Sequence, residues 1–95
     1  MEITFEWDDA KAASNLRKHG IDFNDALDAF HDRWRLERLD RGNHAEDRFT
    51  VIASLCGHAL FIVYTVRDDA IRLISAREAT RHEAILYWKN RSHHV

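Results

Sequence analysis

Arg67 closes the apolar run "ALFIVYTVR", Arg77 closes "IRLISAR", and Arg72 and Arg81 flank the second run where an extended pattern gives way to a helical one. A guanidinium stays charged and offers a planar fork of donors that matches phosphate oxygens better than an ammonium does. These cations could clamp a phosphate, or they could be solvated rim residues paired with Asp47, Asp69, Glu78 or Glu83. "HAEDR" sets Glu46 and Arg48 on one side of an incoming strand. That pair could act as general base and electrostatic stabiliser, or form an ion pair. Lys18 and His19, just before Gly20, could act on a ligand or serve the end of a helix.

Other chemistries find little support. The seven histidines never form a His-Glu-x-x-His pattern, Cys56 and His58 stand apart from other ligands, and His82 and Glu83, adjacent on a helix, face different directions. No metal site or cofactor is expected. There is no glycine-rich phosphate loop, and Ser75 in "ISAR" lacks the glycines of a nucleophile elbow. Trp34, Tyr87 and Trp88 read as core or core-edge aromatics.

The chain must position these residues with 95 residues, 45% of them hydrophobic, enough for one core and a single domain over 1–95. Residues 1–47 hold seven Lys/Arg against twelve Asp/Glu, and residues 48–95 hold seven against four, so a net charge of −2 hides a cationic second half. Such a balance allows an anion-binding face without the strong basicity of a typical nucleic-acid binder. Cys56 is expected to be buried. Neither a signal peptide nor a membrane span is supported, so a cytoplasmic location is expected.

Ile3, Phe5 and Trp7 alternate as a strand, and Asp8 caps a helix over "DAKAASNLRKH" that Gly20 ends. Asp22 starts a second helix whose Phe23, Ala26, Leu27 and Phe30 form one stripe. "RWRLERL" reads as a strand followed by a turn at "RGNH". "RFTVIASLC", "ALFIVYTV" and "IRLISAR" form a meander, with turns at Gly57-His58 and Asp68-Asp69. A last helix runs from about Glu78 to Asn90, and "RSHHV" is left as a frayed tail. The expected fold is α+β: two layers, an antiparallel sheet of about four to five strands with two N-terminal helices and a C-terminal helix on one face, the other face free. Strict alternation would put Ile71, Leu73, Ser75 and Arg77 on one side of the last strand, and Arg72, Ile74 and Ala76 on the other. Arg67 and Arg77 end opposite ends of a hairpin, so alternation does not by itself bring them together.

Several separated motifs, in order, resemble the BrnT family of type II toxin–antitoxin ribonuclease toxins. They are Trp7-Asp8, Lys11, Asn15, Lys18-His19 before Gly20, and Phe23 with Ala26. Glu46 with Arg48 and Ile74-Ser75-Ala76-Arg77 with Glu83 and Tyr87 follow, so the resemblance spans about residues 5 to 87. It implies a RelE-like fold and an endoribonuclease that cuts RNA and inhibits translation. It also implies a ribbon-helix-helix (BrnA-like) antitoxin, a 2:2 heterotetramer, and repression of the operon through antitoxin bound to operator DNA. Metal-free cleavage would use the RNA 2′-hydroxyl as nucleophile, with a base, an acid and cations for the transition state. Arg67 and Arg77 are the expected phosphate stabilisers, with Arg48 supporting. Lys18, His19 and Glu46 are candidates for proton transfer or RNA contact, and Lys11, Arg72 and Arg81 for RNA binding. The alternative is a non-catalytic module of the same fold that binds nucleic acid or protein.

Overall fold

The computed structural model describes residues 3–42 and 45–93. The element order is β1 (Thr4–Glu6), α1 (Asp9–His19), α2 (Phe23–Ala29), β2 (Leu36–Asp40), β3 (Arg48–Leu55), β4 (His58–Arg67), β5 (Ala70–Glu78) and α3 (Arg81–Ser92). The strands form one sheet in the order β1-β5-β4-β3-β2. The meander is antiparallel, while β1 lies parallel to β5 at the edge. The expected α+β class, strand number and helices are all present. Part of the expected turn at "RGNH" and the last two residues of the tail lie outside the described residues.

Local chemistry starts and stops the helices where expected. The Asp8 carboxylate accepts from the amides of Ala10 (2.8 Å) and Lys11 (3.1 Å), covering two of the donors a helix N-terminus leaves unpaired. At the far end Gly20, at φ 71°, donates to Leu16 carbonyl. Asp22 caps α2 in the same way. Phe23, Ala26, Ala29 and Phe30 then press on Val51, Ile62, Tyr64 and Leu73 to make the main core. Fully burying a side chain such as Ile62 contributes about 1.5–3 kcal/mol.

The opposite face of the sheet, called here the reverse face, is only partly free. Tyr87 and Ala84 of α3 pack there with Ile52, Ala59, Phe61, Leu36 and Trp34 in a second core. Asp32 fastens the helix down. Its carboxylate accepts from the Tyr87 hydroxyl, from Ser54 amide at 2.8 Å and from Trp34 amide at 2.9 Å. Burial alone would raise this carboxyl's pKa, but those three donors and the nearby Arg91 outweigh it and hold Asp32 below the usual carboxylate range.

Three local expectations shift. Leu55 pairs with His58, so the β3–β4 turn is Cys56-Gly57, one residue earlier than expected, and both turn residues have positive φ, 51° and 83°. That is the handedness a two-residue hairpin needs, and it places Cys56 at an exposed tip instead of in the core. The Asp68-Asp69 turn, at φ 50° and 64°, is the same device. β5 runs on to Glu78, and α3 begins beyond it in a capping box: Thr80 and Glu83 exchange side-chain-to-backbone hydrogen bonds. The helix then takes in Arg91 and Ser92, the first two residues of the expected tail.

Candidate nucleic-acid interface

Leu73 and Ala76 both lie in the main core although they are three residues apart. The reason is a β-bulge. Val63 pairs with Ser75 and Tyr64 with Leu73, which leaves Ile74 as an extra residue in β5. Strict alternation separates Arg72 from Arg77; the bulge puts both on the reverse face. Arg72 pairs with Thr65 and with Glu6, and Arg77 pairs with Phe61, whose ring belongs to the reverse-face core.

Paired residues of neighbouring strands share a face, so the register draws rows across the reverse face. One row is Leu36, Ile52, Phe61, Arg77, and the next is Arg38, Thr50, Val63, Ser75. The third joins Asp40 to Arg48 and, one strand over, Thr65 to Arg72 and Glu6. These three rows alone put four arginines on one surface, and Arg67, two β4 residues beyond Thr65, is a fifth at its far end. The outer rows are four strand residues apart, roughly 13 Å at the rise of an extended chain.

α3 overhangs this surface. Between helix and sheet lies a cleft of about 320 Å³ lined by Arg38, Thr50, Phe61, His82 and Glu83 among others. At its edge Arg77 donates to both carboxylate oxygens of Glu83, at 2.8 and 3.0 Å, and its guanidinium lies 4.2 Å from the Phe61 ring centroid. The hydrogen bonds to Glu83 raise the Arg77 pKa, and the bonds from Arg77 hold the Glu83 carboxyl below its usual range. Arg72 donates to Glu6 at 3.3 Å. Arg48 is less well provided for: its Nε is sealed from solvent and has no hydrogen-bond partner among the described residues.

The remaining expected site residues are dispersed. Arg67 lies on the same face, beyond the Thr65 row, but six β4 residues from Phe61 and so roughly 20 Å from the Arg77 row. There it bonds Glu46 at 3.3 Å, with 53% of its side chain exposed. Glu46 therefore serves as an ion-pair partner of Arg67. Lys11, Lys18 and His19 border a small niche against Ile74 and Ser75, at the part of β5 that β1 does not cover. Asn15 seals that edge. Its amide takes the place of a strand, donating to Ala76 carbonyl at 2.8 Å and accepting from Ala76 N–H at 3.0 Å. The niche and the cleft thus flank β5 from two sides. Arg81 points away from both, along the outer surface of α3.

Three cleft residues, Arg38, Thr50 and His82, have no site role that the sequence pattern predicts. Arg38 and Thr50 are legible only through the register of β2 on β3. His82 and Glu83 do diverge on the helix, yet both line the cleft because α3 lies across its mouth. Among the described residues no group of three His, Cys, Asp or Glu is placed to hold a metal ion, and no helix is long and apolar enough to cross a membrane.

Comparison with known families adds one match. Residues 7–83 fit the family described as the ribonuclease toxin, BrnT, of type II toxin–antitoxin systems. No curated protein matches the chain.

Proposed function

The chain belongs to the BrnT family of ribonuclease toxins of type II toxin–antitoxin systems, and from that premise we propose that it cuts single-stranded RNA on the reverse face of its sheet, at the cleft under α3. The observation that carries this reading is the bulge at Ile74, which gathers Arg72 and Arg77 onto the surface that already holds Arg38 and Arg48. Cations spread over roughly 13 Å suit a chain of successive phosphates better than a single small anion. Lys11 and Lys18 extend the track beyond the edge of β5.

The reaction needs no group outside the chain. The 2′-hydroxyl loses its proton to a base and its oxygen attacks the adjacent phosphorus. The phosphorus–O5′ bond then breaks as that oxygen takes up a proton, leaving a 2′,3′-cyclic phosphate and a 5′-hydroxyl. Arg77 stabilises the charge that builds on the phosphoryl oxygens. His82 is the candidate proton carrier, because it lines the cleft and imidazole is the side chain most often used as general acid or base. Glu83 suits that role less well, since Arg77 keeps it a weak base. Translation falls as transcripts are cut. In the cytoplasm a ribbon-helix-helix antitoxin neutralises the toxin, and the 2:2 complex represses its own operon through operator DNA bound by the antitoxin.

Substitution at the nucleophile tests the reading. In EDTA, labelled single-stranded RNA is expected to be cut to 2′,3′-cyclic ends. The same strand with 2′-deoxyribose at the cleaved position is expected to bind equally but stay intact. Cleavage of the deoxy-substituted bond, or equal cleavage after His82→Gln, contradicts the mechanism.

A further inference from the structure

The outer face of α3 has a composition that RNA cleavage does not use. Ile85 and Trp88 are 42% and 38% exposed and floor a groove of about 440 Å³ along the helix, with the partly buried Ala84 at its sheet-side edge. Arg81 borders it at one end, Lys89 and His93 at the other. Residues 81, 85, 88 and 92 recur at helical spacing, so the groove follows one stripe. The sole acidic residue of α3, Glu83, is turned to the sheet by Arg77 and Thr80. The groove therefore has an apolar floor and a rim whose charges are all positive. It also lies almost wholly beyond Glu83, where the family match ends.

We propose that this face docks an acidic amphipathic helix of the antitoxin, an inference that rests on the toxin reading above. Apolar residues of the partner would fill the groove over Ile85 and Ala84, and flanking carboxylates would meet Arg81 and Lys89. An exposed Trp beside Arg and Ile is the kind of anchor that dominates protein interfaces. The indole is poorly placed to stack a base. Arg91 sits over its ring at 5.1 Å and Tyr87 packs against it edge-to-face at 4.9 Å. The rim cations would attract phosphates and carboxylates alike, so it is the apolar surface of Ile85 and Ala84 and the covered indole that favour an amphipathic acidic protein segment over RNA.

The test uses the full chain and two synthetic helical peptides with leucines at i, i+3, i+4 and i+7, one flanked by glutamates and its counterpart by lysines. Fluorescence anisotropy is expected to show saturable binding of the glutamate peptide only, weakened about tenfold or more by Ile85→Glu and by Lys89→Glu. RNA cleavage by Ile85→Glu should stay at the wild-type rate, which shows that the variant is folded. Absence of saturable binding, equal binding by Ile85→Glu, or displacement of the peptide by a single-stranded RNA overturns the proposal. A wild-type protein that binds the peptide but cuts no RNA would leave the docking face standing and refute the cleavage reading alone.

Discussion

Arg77 and Glu83 neutralise each other at the edge of the cleft, through two hydrogen bonds of 2.8 and 3.0 Å. A phosphate that takes both arms of the Arg77 fork must therefore displace Glu83 or share the guanidinium with it. In the unliganded protein the strongest candidate for transition-state stabilisation is held in place and kept from other anions.

Glu83→Gln separates holding from neutralising. Glutamine can still complete the capping box with Thr80, so α3 keeps its start. With the carboxylate charge gone, Arg77 becomes available. RNA affinity at fixed salt is expected to rise by about 1 kcal/mol, roughly fivefold, with cleavage retained. Weaker binding in a filter-retention assay would show that Glu83 serves the substrate rather than competing with it.

Arg48 should trade stability against function. A buried donor without a partner costs about 1–3 kcal/mol, and Arg48 Nε is one among the described residues. Arg48→Met is expected to match or exceed the wild type in a urea melt, by up to about 1 kcal/mol, while RNA binding weakens and its salt dependence becomes shallower. Marked destabilisation with unchanged binding would make Arg48 a purely structural residue.

Asn15 acts through the backbone of β5. Asn15→Ala strips Ala76 of a donor and an acceptor in a buried setting, each worth about 1–3 kcal/mol when left unmade. Hydrogen exchange at the Ala76 amide should accelerate well beyond that at the central strands. Unchanged protection there would mean that the edge needs no such cap.

The anchor of α3 predicts an acid-sensitive stability. Asp32 has a lowered carboxyl pKa in the folded chain, so its contribution is present above the ordinary carboxylate range. It is lost as pH falls through the folded value. The denaturation midpoint should drop below about pH 4. Asp32→Asn should start lower and drop less over that interval, whereas parallel curves for the two proteins would assign the acid transition to other groups.

How much of this the sequence discloses depends on the kind of signal. Caps are local, so Asp8, Asp22 and Gly20 mark their helices plainly, and the alternation of Leu60, Ile62 and Tyr64 identifies the core side of β4. The bulge at Ile74 has no local signature. It arises from the pairing of two strands, and one extra residue reverses the side assigned to every residue after it, which is why Arg72 and Arg77 read as opposed and fold onto one face. The Cys56 turn is a milder case, a shift of one residue that moves a thiol from core to surface. Asn15 was visible as part of a family pattern, but its work on Ala76, 61 residues away, belongs to tertiary structure. His82 joins the site only because Asp32 and Tyr87 seat α3 over the sheet.

The most direct test of the reverse-face site compares Arg77→Ala with Arg67→Ala, two arginines of one sheet roughly 20 Å apart. Antitoxin-free protein is incubated with labelled RNA in EDTA and the initial cleavage rate is measured. Arg77→Ala should lose about 10²–10³ in rate, the cost of removing one donor that stabilises a transition state, while Arg67→Ala loses less than tenfold. Equal losses in the two variants, or cleavage by Arg77→Ala at the wild-type rate, would contradict a site built around Arg77 and the cleft under α3.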